Sequence, residues 1–374
     1  MPAPRTTAAP HPTDTWPIVL TAQDWAFYGG SYVDTKEGTF RTGGMYVERF
    51  VPAKQGHPYP VVMIHGGGQT GTNFTATPDG RRGWLHDFLR AGYAVHIVDQ
   101  PERGRSGHAA AVYGQGVTLQ RSSTKRIENR FTAPAQAKLW PQAARHTQWP
   151  GSGQKGDAAF DRFYASQVQG LVDGSAIESL NRDAGVALLD AIGPAILMTH
   201  SQSGPLGWLI ADARPQLVKA ILALEPNGPP FRDVEFVGGS DWYRYGKDMA
   251  RPWGISRLPL TFDPPVERPE DLSPTPDDKS AGPNLVAGLL QGGRPRRLSR
   301  LAGIPILIVA TEASYHATYD HATSRFLKQA GVDHDFVRLE DKGLSGNGHM
   351  AMLELNNHAV ADLMIDWLVG HPGS

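Results

Sequence analysis

The sequence predicts an α/β protein: a mostly parallel central sheet with helices on both faces. Three observations carry this. Short apolar runs rich in β-branched residues recur along the chain, several are followed by segments with helical periodicity, and 374 residues with 40% hydrophobic content suffice for a large core. A strand covered on both faces reads as a continuous apolar run, and its parallel neighbour requires a crossover that a helix supplies.

Strands are expected near 18–27 and at 44–51 (GMYVERFV), 59–65 (YPVVMIH), 94–99 (AVHIVD), 194–199 (PAILMT), 218–224 (VKAILAL), 304–310 (IPILIVA) and 334–340 (HDFVRLE). Helices fit at 82–92, at 175–193, after Gly204, at 321–331 and at 358–370. In the second, Ser175 and Glu178 have capping-box spacing, and Ile177, Leu180, Ala184, Leu188 and Ala191 share one face. Residues 1–17 read as a Pro/Ala/Thr-rich tail and 18–374 as one domain. Two stretches break its rhythm, 107–170 and 228–300, each emerging after a strand where lid-like insertions over a functional face would sit.

Charge and composition exclude several functions. Lys plus Arg (36) and Asp plus Glu (37) nearly cancel, so there is no footprint for nucleic acid or an anionic membrane. No apolar run is long enough to span a bilayer. Zero cysteines remove disulfides, thiol nucleophiles and thiolate metal sites. The expected partner is a small molecule, with a homodimer left open. The compartment is also open: cytoplasmic, or periplasmic or secreted if a signal peptide has been removed.

The stretch AILMTHSQSGPLGW, 195–208, runs from a strand into two serines. A nucleophile elbow needs a strand, a sharp turn that strains the nucleophile's backbone, and a helix, with small residues two places either side. Ser201 meets this with Thr199, Ser203 and then Gly204, although G-x-S-x-G has glycines at the two flanks. Ser203 has Pro205 two ahead, which suits a first helical turn. A helix cap is the competing reading of either serine.

HGGGQTG, 65–71, also satisfies the dinucleotide pattern G-x-G-x-x-G, but that pattern needs a helix to begin within the glycines. The turn signal at 78–80 puts the next helix no earlier than about residue 81. An oxyanion hole fits better, with backbone N–H groups of Gly67 or Gly68 and of Gln202 as donors. His65 is expected to hold the loop. The base is expected after the last strand, where EDKGLSGNGHMAML supplies His349; His358 reads as a surface residue of the final helix. His316 and His321 are five apart, off a common helical face, so no metal site is expected. For the acid, Glu225 in LEPNG is favoured over Glu312 in TEASYH, because it leaves the strand beside the nucleophile's.

The chain order Ser201, Glu225, His349, with HGGG and DQPERGRSG (99–107), resembles the α/β-hydrolase superfamily over most of residues 44–370. MIHGGGQTGTNF, HSQSG and the early Glu are similar to an atypical bacterial esterase group whose acid follows the sixth strand. In most of the superfamily the acid stands one strand later, where this sequence has Ala313-Ser314. The resemblance implies a serine carboxylesterase without metal or organic cofactor, acting on a small, partly apolar ester through an acyl-enzyme. Lactonase, amidase and non-catalytic binding functions occur on the same fold and stay open. Phe131, Trp140, Trp149, Trp242, Tyr243 and Trp253 in the insertions are candidates for a pocket wall or for packing.

Overall fold

The computed structural model describes residues 17–113, 119–277 and 282–371. Residues 1–16, nearly all of the expected tail, lie outside them. Eight strands form the main sheet: β1 (Leu20–Thr35), β2 (Gly38–Pro52), β3 (Val61–Ile64), β4 (Val95–Asp99), β5 (Ala195–His200), β6 (Val218–Leu224), β7 (Ile306–Ala310) and β8 (Asp335–Arg338), in the order β1-β2-β4-β3-β5-β6-β7-β8. β1 and β2 form an antiparallel hairpin, and β2 runs antiparallel to β4. From β4 to β8 every pairing is parallel. The hairpin is longer than its apolar content suggests, because β1 is an edge strand that is largely exposed and carries few apolar runs.

The apolar runs become the central strands because both faces are covered. Every residue of β3, β4, β5 and β7 is buried. Among the described residues, six helices of seven residues or more accompany the sheet: α1 (Trp84–Arg90), α2 (Ala158–Ala165), α3 (Gly174–Ile192), α4 (Gly204–Ala213), α5 (Asp320–Gln329) and α6 (Asn357–Val369). One core packs α3, α4 and α5 against residues such as Val62, Leu197 and Ile308; the other packs α1 and α6 against Met63, Met198 and Val309. These are alternate residues of the same strands, as a period of two requires.

Four local expectations change. The N-cap of α3 is Asp173, whose carboxylate accepts from the N–H groups of Ser175 and Ala176. Glu178 instead turns away, and its Oε2 accepts from Arg257 N (2.7 Å) and Leu258 N (3.1 Å), anchoring the second insertion. Ala191 is exposed, and the buried stripe runs through Ile177, Ala184, Gly185 and Leu188. A single helical turn, Thr72–Thr75, follows the glycine run before the chain extends at Ala76, ahead of α1. His358 is buried rather than at the surface: its Nδ1 lies 2.8 Å from Asp87 Oδ1, tying α6 to α1.

Candidate active site

Ser201 stands at the sharp corner between β5 and α4 with φ 55°, a left-handed conformation that costs a non-glycine residue about 1–3 kcal/mol. The surroundings hold it there. Ser203 Oγ accepts from His200 N at 2.8 Å and donates to Ile64 O at 2.7 Å, so the second serine is a structural clamp across β3 and β5. A Cβ on Gly204 would stand 2.5 Å from Pro226 Cβ, so only glycine lets the chain after β6 cross the start of α4.

The glycine loop passes directly over this corner. A Cβ on Gly66 would lie 3.0 Å from His200 Nδ1 and 3.2 Å from Ser201 Cβ, and Gly68 has φ 73°. His65 holds the loop: Nδ1 donates to Gly66 O (2.9 Å) and Nε2 accepts from Gln100 N (3.1 Å). Burial pulls its pKa down to about 4, keeping it neutral in that role. Gly67, Gly68, Ser201 and Gln202 line one cleft of about 630 Å³. Arg103 ties its two sides, donating from Nη1 to Gly66 O (3.1 Å) and to Gln202 Oε1 (3.0 Å).

Glu225 leaves β6 with φ 45°, wholly buried, and accepts four hydrogen bonds. Oε1 takes Thr311 N (2.9 Å) and Thr311 Oγ1 (2.6 Å); Oε2 takes Ser314 Oγ (2.8 Å) and His349 Nδ1 (2.6 Å). Burial pushes the carboxyl above its ordinary range, opposed by the charge of His316 and the bonds from Thr311 and Ser314. Glu312 plays another part: it meets Arg145 Nη1 at 3.3 Å and accepts from Gly346 N at 2.8 Å, bracing the loop that carries His349. The spot after β7 therefore supplies hydroxyls and a backbone N–H to Glu225 in place of an acid.

With Nδ1 donating to Glu225, Nε2 of His349 is an acceptor. Its partner is the hydroxyl of Tyr315 at 3.2 Å, and Tyr315 lines the same cleft as Ser201. Tyr315, His349 and Glu225 thus form one hydrogen-bonded chain that ends at the cleft lined by Ser201. Burial first, then His316 and Arg130, pulls the His349 pKa well below 6.5, so the imidazole is neutral at pH 7. Phe131 stacks on one side of its ring at 5.1 Å and His316 lies nearly parallel at 4.8 Å. His200 Nε2 donates to the His349 carbonyl at 2.9 Å. Buried Glu354 shapes the loop, accepting from Gly348 N (2.9 Å) and Asn347 Nδ2 (2.8 Å) and lying 2.7 Å from His146 Nε2.

His146 and Thr147, whose N–H donates to Gly346 O at 3.0 Å, come from the first insertion. That insertion therefore clamps the histidine loop. Of the six insertion aromatics singled out, Phe131 alone lines the cleft. Trp140 and Trp242 pack beneath it with Tyr315 and Tyr319, and Trp149 and Trp253 belong to the two cores. Donor atoms of Glu225, His316 and His349 lie within 4.8 Å of one another, close enough to share a cation. The Glu225–His349 bond and the 2.9 Å contact between His316 Nδ1 and Asp320 occupy that donor set internally.

The alpha/beta hydrolase family model matches residues 61–363 of the chain. The chain belongs to the α/β-hydrolase family. The hydrolase is 44% identical over 347 residues to a protein described as "Probable secreted lipase phiG" from Fungal sp. (strain ATCC 74256), covering 88% of this chain and 87% of the relative. A solved structure described as a novel bacterial esterase superposes on it with a TM-score of 0.63 at 21% identity over 99% of both chains, a likeness of fold. No helix among the hydrolase's described residues is long and apolar enough to cross a membrane.

Sequence reasoning missed Tyr315, His316, His200 and Arg103. Tyr315 and His316 sit in TEASYH, where the sequence reading weighed Glu312 as the acid and His316 only as a metal ligand. A buried-looking Tyr-His pair straight after a central strand is a usable signal. Arg103 sits in DQPERGRSG and carries none.

Proposed function

We propose that the protein is a serine carboxylic-ester hydrolase that works through an acyl-enzyme on a small, partly apolar ester. The observation that carries this reading is strained Ser201 on the same cleft as Tyr315, from which hydrogen bonds run through His349 to buried Glu225. The curated relative described as a secreted lipase supports the same class of reaction, and supports action outside the cell.

In the first step Ser201 Oγ attacks the ester carbonyl carbon. The hydroxyl proton moves to the Tyr315 oxygen as the Tyr315 proton moves to Nε2 of His349, so the base is used through one relay. The imidazolium is stabilised by Glu225, whose anionic form the Thr311 and Ser314 bonds favour. The N–H groups of Gln202 and of Gly67 or Gly68 receive the developing oxyanion. Collapse expels the alcohol, which takes the proton back from His349; water then repeats the sequence on the acyl-enzyme. A Cβ on Gly66 would crowd His200 Nδ1 at 3.0 Å and Ser201 Cβ at 3.2 Å, and Gly68 holds a φ of 73° that favours glycine.

The test is covalent labelling. A fluorophosphonate should add to Ser201 alone, read by peptide mass, and Ser201→Ala should abolish both labelling and p-nitrophenyl butyrate hydrolysis with the melting temperature retained. Labelling that maps to another serine, or hydrolysis surviving in Ser201→Ala, refutes the reading.

A further inference from the structure

Resting on that reading, we propose that the preferred esters carry a free carboxylate, held in the cleft by Arg103, Arg126 and Arg130. All three guanidinium groups line the cleft that Ser201 lines. Among the described residues none of the three forms an ion pair, and three nearby acids already have other cationic partners. Asp233 pairs with Arg251 at 2.8 Å, Glu235 with Arg244 at 2.7 Å and Asp99 with Arg105 at 2.9 Å.

Arg103 makes the strongest case. It is 5% exposed, its two hydrogen bonds go to neutral acceptors, and its Nε has no partner at all. Burial pulls its pKa down to about 10, which marks how poorly the protein itself solvates this charge. The nearest counter-charge, Asp99, is bonded to Arg105, so the buried Arg103 cation is left without an ion-pair partner, and a ligand carboxylate would satisfy it by the two-pronged geometry that guanidinium suits.

Arg126 and Arg130 stand four residues apart where the helical turn Thr124–Ile127 continues into a π-helical turn, Glu128–Thr132. That spacing puts two like charges on one face, unfavourable unless something negative sits before them. Arg126 is at the exposed rim and Arg130 lies deeper, 5.2 Å over the Tyr315 ring. A positive charge there opposes formation of the His349 imidazolium, a handicap for a neutral ester that a substrate anion cancels. A carboxylate is favoured over a phosphate because Asp233, Glu235 and Asp248 also border the outer cleft and would repel a dianion.

The experiment compares two near-isosteric substrates on the full chain by proton release: monomethyl glutarate and methyl 4-carbamoylbutanoate. The acid ester should have kcat/KM higher by about tenfold or more, as charge-assisted recognition predicts. Raising salt from about 0.05 M to about 0.5 M should lower kcat/KM for the acid ester alone. In R126Q/R130Q the ratio between the two substrates should fall towards one. If that variant does not fold, the salt series on the unmodified protein still decides. Equal rates for both esters, insensitive to salt, overturn this proposal and leave the ester-hydrolase reading standing. Failure to hydrolyse either ester together with no fluorophosphonate label on Ser201 overturns both.

Discussion

Glu225→Gln isolates the part of the mechanism that depends most on burial. The substitution keeps size and shape but removes the charge and fixes which atom faces which. Thr311 donates to Oε1 from both its N–H and its hydroxyl, so the amide oxygen of the glutamine must take that position. The amide nitrogen then occupies the Oε2 position, 2.6 Å from His349 Nδ1, where a donor now meets a donor. The imidazole answers by moving its proton to Nε2, the tautomer that cannot accept from Tyr315 or Ser201. With no water to intervene, since Glu225 is 0% exposed, the expected loss in kcat/KM is about 10⁴-fold, or about 5.5 kcal/mol of transition-state stabilisation. Glu312→Gln is the matched control: it loosens a brace on the histidine loop but leaves the tautomer, so the loss should stay within about tenfold. The assay is p-nitrophenyl butyrate hydrolysis with thermal unfolding to verify the fold. A folded Glu225→Gln protein that keeps more than about a tenth of the rate, or a Glu312→Gln protein that falls as far, refutes the assignment of the acid.

Tyr315→Phe removes the relay hydroxyl between Ser201 and His349 and should lower kcat about 10²-fold, with fluorophosphonate labelling slowed in parallel; unchanged labelling would show that Ser201 reaches the imidazole directly. Gly66→Ala forces a methyl to within 3.0 Å of His200 Nδ1 and 3.2 Å of Ser201 Cβ, so the glycine loop must shift and kcat should fall by about 10²-fold with a smaller change in KM, measured by steady-state kinetics. Stability should fall with acid. His65, His96 and His316 are each pulled down to about 4 by burial, so between pH 6.5 and 4 the unfolded chain binds protons that the folded chain does not. Each contributes a loss of about 1.4 kcal/mol per pH unit across that window, partly offset by the buried carboxyls of Glu178 and Asp320, whose raised pKa values act with the opposite sign. Urea unfolding at pH 6.5 and 4.5 checks this, and equal midpoints would contradict it. The acid limb of kcat/KM should likewise lie below pH 6.5, because His349 remains neutral to a lower pH than a free histidine.

Much of this was legible locally. The run AILMTHSQSG carries a strand, a strained corner and a helix start within ten residues, and three glycines after β3 announce a backbone that must approach something closely. The choice of Ser201 over Ser203 rested on the small residues Thr199 and Ser203, on Gly204 and on the position of Pro205, and in the fold Ser203 Oγ donates to Ile64 O. Reading His358 as exposed failed for an identifiable reason: its partner Asp87 is 271 residues away, and no local pattern reveals a buried ion pair between two helices. The capping box at Ser175 failed similarly, since Glu178 serves the backbone at Arg257 and Leu258.

Order of strands, glycine loop, elbow and the chain positions of Ser201, Glu225 and His349 were set by the sequence, because hydrophobic period, turn chemistry and covalent spacing act over a few residues. Only the tertiary structure shows that Glu225, the glutamate favoured from sequence, contacts the histidine, that Tyr315 hydrogen-bonds that histidine and lines the cleft with Ser201, that the first insertion braces the histidine loop, and that three arginines with no ion pair among the described residues face the same cleft. Those are contacts between segments up to 208 residues apart, and only the folded sheet brings their side chains into the low-dielectric space where such contacts have chemical force.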